Sequence, residues 1–278
     1  MLPPFFIFAL MQAHQPIGIF DSGIGGLTVA SAINSALPNE QLIYFGDTAH
    51  LPYGDKSPEA IKYYSLKITR FLIEQGCKVI VIACNTASSL AYQDVLQFMG
   101  DRLPIYSVID PVVNHMINGG PYRKIGVIAT KATIESDIYA REIHRQKPDI
   151  EVHSMATPLL VPMIEEGFFN NNISHTIIQS YLSAPELQGI DSLILGCTHY
   201  PLIKTEIAQY YHNRVDIIDN AELTATFLKA ELQKKGLLNP QKAAEHRFYV
   251  SDYTRSFEES TRLFFKDQIH LERQSIWD

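Results

Sequence analysis

The sequence predicts an α/β fold made of two similar α/β domains with mostly parallel sheets, related by a pseudo-twofold axis, with the functional site in the cleft between them. Three observations lead there. Apolar runs such as KVIVIA (residues 78–83) show no polar alternation, the mark of strands covered on both faces by helices. Such runs alternate with stretches of helical periodicity, which implies right-handed βαβ crossovers. The pattern then starts again: IGIFDSG is matched by IGVIATKAT, VIACNT by LILGCTH, and YSVIDP by VDIIDN. The offsets are 108, 113 and 109 residues (Ile17 to Ile125, Cys84 to Cys197, Tyr106 to Val215), so the two halves read as an internal duplication.

Each element has a local reason. PIGIF is a short buried strand and LTVASAINSAL a helix. QLIYFGD is a second strand. SPEAIKYYSLKITRFLIEQG (residues 57–76) is a helix: Ser57 caps it, Pro58 suits its first turn and Glu59 its positive end. Ile61, Tyr64, Ile68, Phe71 and Leu72 share one face, and Gly76 ends it. After Asn220 about 58 residues remain, mostly helical, with HRFYVSD (residues 246–252) as a late strand. They are expected to complete the first half. The first domain is then residues 14–108 plus 219–278, the second is 109–218, and SVIDP and IIDNA are the crossings. Residues 1–13 are an N-terminal extension, open to disorder, with Met11 as an alternative start.

Composition excludes several classes. Of 278 residues, 46% are hydrophobic and 19% charged, an ordinary globular balance. The net charge is −7 and no stretch concentrates Lys or Arg, which argues against a nucleic-acid partner. The apolar start lacks a basic flank and falls short of the ~20 residues a membrane span needs. Three cysteines, Cys77, Cys84 and Cys197, are too few and too odd for a disulfide framework and fit a reducing cytoplasm.

Sites in parallel α/β sheets form beyond the carboxyl ends of the strands. Four loops leave such ends with chemistry-bearing groups: DSGIGG, GDTAHLPYG, CNTAS and CTHYP. Each half contributes one cysteine, while Cys77 lies at the amino end of its strand. DSGIGG has features of a dinucleotide turn, with Asp47 as the ribose acid, but Thr28 replaces the third glycine and Asp21 would oppose a pyrophosphate. Its backbone N–H groups instead suit a small anion at a helix start. Zinc on Cys84, Cys197 and His199 is disfavoured by the C-x-H spacing. A cysteine hydrolase with Cys84 as nucleophile and His199 as base leaves Cys197 unused. Two buried structural cysteines would leave the polar groups after each one unexplained.

A two-base proton transfer uses both thiols: one takes a proton from a carbon and the other returns one to the opposite face, inverting a stereocentre. Helix starts after both cysteines are expected to lower their pKa values. Asp21 and His199 can tune the thiols. The glycine-loop N–H groups, Asn85, Thr86 and Thr198 can stabilise the developing anion. With no arginine in these loops, carboxylates would be held by neutral dipoles.

GIFDSGIGGLTV, YFGDTAHLPYG, VIACNTAS and GCTHYPL together resemble the signature blocks of the glutamate racemases, in their order, over residues 17 to about 221. The resemblance implies two domains with the active site between them, no pyridoxal phosphate or other cofactor, no metal, and an isomerase acting on L- and D-glutamate. It implies Cys84 as the base toward D-glutamate and Cys197 toward L-glutamate, assisted by Asp21 and by His199. Glu165, in LLVPMIEEG, resembles the family's acid near the second cysteine. Asp21, Ser22, Tyr53, Gly54, Asn85, Thr86, Thr198 and His199 match substrate-contacting positions, with Thr130 and Thr133 matching more loosely. A homodimer, a bacterial cytoplasm and supply of D-glutamate to peptidoglycan are further implications. The alternative is a racemase of another acidic amino acid such as aspartate, and the rival of a different class is a non-catalytic anion- or nucleotide-binding module.

Overall fold

A computed structural model describes residues 11–241, 244–265 and 269–277. The expectation for the first ten residues falls outside them. Among the described residues ten strands follow in chain order: β1 Ile17–Asp21, β2 Leu42–Gly46, β3 Val79–Ile82, β4 Ile105–Ser107, β5 Lys124–Ala129, β6 Glu151–Ala156, β7 Ser192–Gly196, β8 Asp216–Asp219, β9 Arg247–Val250 and β10 Leu271–Arg273. They form two sheets, in the orders β10-β9-β2-β1-β3-β4 and β6-β5-β7-β8. All the ladders are parallel. The order β2-β1-β3-β4 recurs as β6-β5-β7-β8, so the sequence pairs fall on equivalent strands: β1 on β5, β3 on β7, β4 on β8. The chain leaves the first sheet after β4 and returns to it with β9, which pairs with β2.

Alternate residues of the central strands feed different cores. Ile17, Ile19, Val79 and Val81 point into a core that also receives Leu193 and Leu195 of the second sheet. Phe20, Ile80 and Ile82 face a core closed by Ile61, Ile68 and Leu72. In the second sheet Ile125, Val127 and Ile194 face a core shared with Ile109, Val112 and Ile143. Strands buried on both faces need apolar residues at successive positions, which is why these runs lack alternation.

The helix Pro58–Glu74 has the expected ends. Ser57 Oγ accepts from the Ala60 N–H at 3.3 Å, and Gly76 takes a φ of +76°, where its N–H donates to the Ile73 carbonyl at 2.8 Å. β6 and β10 went unread in the sequence. Both are edge strands with exposed or half-buried positions, and so carry no continuous apolar run. Among the described residues no helix is long and apolar enough to cross a membrane.

Candidate active site

The carboxyl ends of β1, β3, β5 and β7 meet at a cavity of about 270 Å³. Its wall includes Ser22, Tyr53, Gly54, Cys84, Asn85, Thr86, Thr130, Glu165, Cys197, Thr198 and His199, all expected from the sequence. Both cysteines are buried, at 5% and 6% exposure, and each comes from a different sheet. Cys77 packs against Gly18, at the opposite ends of the strands. Asp21 and Thr133, also expected, lie just behind the wall. Thr133 joins a triangle of hydroxyls: Thr86 to Thr130 at 2.9 Å, Thr130 to Thr133 at 3.0 Å, and Thr86 to Thr133 at 3.3 Å. Thr86 follows a strand of the first sheet and the other two follow β5, so the triangle bridges the halves.

The glycine loop departs from expectation. Its N–H groups suit a bound anion, yet those of Gly23 and Gly26 donate to Asp21 Oδ2, at 3.1 and 3.0 Å. The anion they hold is the chain's own. The glycines also make room: a Cβ on Gly25 would sit 2.3 Å from the His199 ring, and one on Gly26 would sit 2.4 Å from the Asp21 Cβ. Thr28, in place of a third glycine, donates to the Thr198 carbonyl at 2.8 Å and so ties this loop to the second cysteine loop. Asp21 is fully buried, its Oδ1 has no partner among the described residues, and burial raises its pKa against the pull of His199 and the loop N–H groups.

For Cys84 the helix start does not decide the thiol. Cys84 does cap the helix Asn85–Leu90, accepting from the Ala87 N–H at 3.4 Å. Burial and the neighbouring Asp21 charge outweigh that dipole and push the Cys84 thiol up to about 12. Cys197 is followed not by an α-helix but by a 3₁₀ turn, Tyr200–Ile203. Its tuning group is His199, whose Nδ1 lies 3.7 Å from the sulfur and whose Nε2 lies 2.9 Å from Glu165 Oε1. Burial opposes charge on this imidazole, but the bonds to Cys197 and Glu165 prevail and push it up to about 10. His199 is therefore protonated at neutral pH.

Some contributors were not legible. Asp47 at the end of β2 is fully buried and accepts from Tyr53 OH at 2.8 Å and Ser251 Oγ at 2.7 Å, with His50 Nδ1 at 2.9 Å. It anchors the wall at Tyr53, whose hydroxyl proton is thereby committed. Lys131, more than half exposed, also lines the cavity, 3.9 Å from Asp55, and brings a cation to it. Its position after β5 in the repeat was the available signal. Among the described residues no three His, Cys, Asp or Glu side chains are grouped as metal ligands.

The arrangement places two sulfurs, one beside a carboxylate and one beside an imidazolium, in one cavity of amino-acid size. Known proteins share both the sequence and the fold. Residues 17–228 match the family described as Asp/Glu/Hydantoin racemase. The glutamate racemase of Geobacter metallireducens is 44% identical over 244 residues, 87% of this chain and 90% of that protein. The crystal structure of glutamate racemase from Francisella tularensis in complex with D-glutamate superposes with a TM-score of 0.89 at 42% identity, covering 95% of this chain and 99% of that one. The Picrophilus torridus aspartate racemase shares the fold alone, at 16% identity and a TM-score of 0.52 over 90% of this chain and 99% of that one.

Proposed function

This chain belongs to the Asp/Glu/hydantoin racemase family, and on that premise we propose that it interconverts L- and D-glutamate by passing a proton at the α-carbon between two thiols. The carrying observation is that Cys84 and Cys197, from different sheets, line one cavity of about 270 Å³. Glutamate is favoured over aspartate as substrate by relatives at 41–44% identity that are named glutamate racemases.

From L-glutamate, the Cys197 thiolate takes the α-proton and the C–H electron pair moves into the carboxylate. The Cys84 thiol then protonates the opposite face. D-glutamate leaves Cys197 as thiol and Cys84 as thiolate, and the reverse reaction starts from that state. Asp21, beside Cys84, and His199, beside Cys197, return the protons to the resting distribution. Glu165 holds the imidazolium. The anion that forms is stabilised by fixed donors, for which Ser22, Asn85, Thr86, Thr130, Thr133 and Thr198 are the candidates, with Tyr53 and Gly54 shaping the wall.

Residues 14–108 with 219–278 act as one domain and 109–218 as the other, each supplying one thiol. A homodimer, a bacterial cytoplasm and delivery of D-glutamate to peptidoglycan complete the reading. Sedimentation of the purified protein, and rescue of a depleted cell by added D-glutamate, test the first and the last.

The direct test is incubation with L-glutamate in heavy water without added cofactor or metal. The expected result is decay of optical rotation with deuterium appearing at the α-carbon. Unchanged rotation and no deuterium would leave a binding module instead. Aspartate turning over in preference to glutamate would replace the substrate but keep the chemistry.

A further inference from the structure

Asn85 is the first residue of the helix after β3, is 2% exposed and lines the cavity. Its Oδ1 is contacted by two groups from elsewhere in the chain. The Tyr139 hydroxyl donates to it at 2.7 Å and Asn220 Nδ2 at 2.9 Å. Tyr139 stands in the first turn of the helix Ile138–Gln146, and Asn220 opens the helix Asn220–Lys234, where the chain returns toward the first sheet. Asn85 Nδ2, in contrast, is buried and has no partner among the described residues.

Which way an amide points is decided by its neighbours. If Asn85 were turned over, its NH₂ would face Tyr139, and the buried tyrosine hydroxyl would have to accept. Its own proton would then have no acceptor among the described hydrogen bonds. Burial holds that hydroxyl protonated, raising its pKa. Turning Asn220 instead would set two amide oxygens against each other. In the observed arrangement two donors converge on Oδ1, and Nδ2 carries no hydrogen bond among the described residues. An unpaired buried donor is costly until something accepts from it, and a carboxylate is the acceptor a dicarboxylate amino acid brings.

We propose that Tyr139 and Asn220 are positioning residues that fix the Asn85 amide with its N–H groups turned toward the substrate carboxylate. The inference rests on the racemase reading of the cavity and adds to it. Tyr139 belongs to the second half and Asn220, with Asn85, to the first, so one of the two donors that orient the amide comes from across the cleft.

A double-mutant cycle separates action through Asn85 from general support. The probe is glutarate, which has both carboxylates but no stereocentre to invert, with its Kd measured by calorimetry. Asn85→Ala should weaken glutarate about tenfold, and Tyr139→Phe or Asn220→Ala by roughly three- to tenfold. In the Asn85→Ala background the same two substitutions should change Kd by about twofold or less. In turnover of glutamate, Tyr139→Phe should raise KM more than it lowers kcat. Thermal melts confirm that each variant is folded, and the two positions are tested independently. If both substitutions leave the native affinity unchanged, or weaken it equally with and without Asn85, the positioning role is wrong. If the native protein neither binds glutarate nor racemises glutamate, the racemase reading and this inference fall together. Racemisation with a purely additive cycle removes this inference alone.

Discussion

At the scale of single residues, the three cysteines separate chemistry from packing. Cys84→Ser and Cys197→Ser should each abolish racemisation in a polarimetric assay while circular dichroism stays native, because a serine hydroxyl is too weak an acid to replace a thiol. Cys77→Ser should keep turnover and lose only about 1–3 kcal/mol of stability, the cost of a poorly paired hydroxyl in a core site. His199 and Cys84 hold their protons more tightly in the folded chain than in the unfolded one. For both, therefore, the stabilisation is complete below the unfolded pKa and is lost as pH rises through the folded one. The window runs from 6.5 to about 10 for His199, and from 9.0 to about 12 for Cys84. Glu165→Gln removes one support of the imidazolium, so the His199 titration followed by NMR should move below about 10, and the loss of urea stability on the alkaline side, which still begins near 6.5, should end at lower pH. An unmoved titration would contradict the pairing.

At the scale of elements, the glycine loop after β1 is a fitted part. Gly25→Ala would drive a methyl group into the His199 ring. It should cut kcat/KM at least about a hundredfold, as expected when a catalytic group is displaced by an ångström, with a much smaller change in melting temperature. Equal loss of both would mean that the loop is structural only. The loop also shows what a sequence can and cannot convey. Its glycines, and the cysteines at strand ends, were legible because backbone approach and strand termini leave local signatures. The partner of its N–H groups was not, since Asp21 lies inside the same loop and the competition between internal and bound anion is decided by geometry. The thiol of Cys84 is a similar case. The helix start is local and readable, whereas burial, which wins, is a property of the assembled fold. Asn220 and Tyr139 reach Asn85 from 135 and 54 residues away and leave no local trace.

At the scale of the whole molecule, the duplicated strand order explains how each half brings one thiol, and this was readable because the repeat preserved strand ends at near-constant offset. What holds the discontinuous first sheet together was not. Lys78, fully buried, donates to Glu40 Oε2 at 2.6 Å, to the Leu237 carbonyl at 2.8 Å and to the Ala13 carbonyl, while Glu40 Oε1 accepts from the Asn239 N–H at 2.9 Å. The pair joins the entry to β1, the turn before β2, and the end of the long helix that precedes β9. Lys78→Met should destabilise by about 3–5 kcal/mol in urea, because it strands a buried carboxylate, and adding Glu40→Leu should recover much of that loss. An additive double variant would show that the pair is no network. The central claim, that two opposed sulfurs serve one carbon, is tested most directly by where solvent deuterium goes in the first few per cent of turnover, from either enantiomer. Two bases predict deuterium in the product and protium in the unreacted substrate. Deuterium entering the recovered substrate as fast as the product would mean a single base working on both faces.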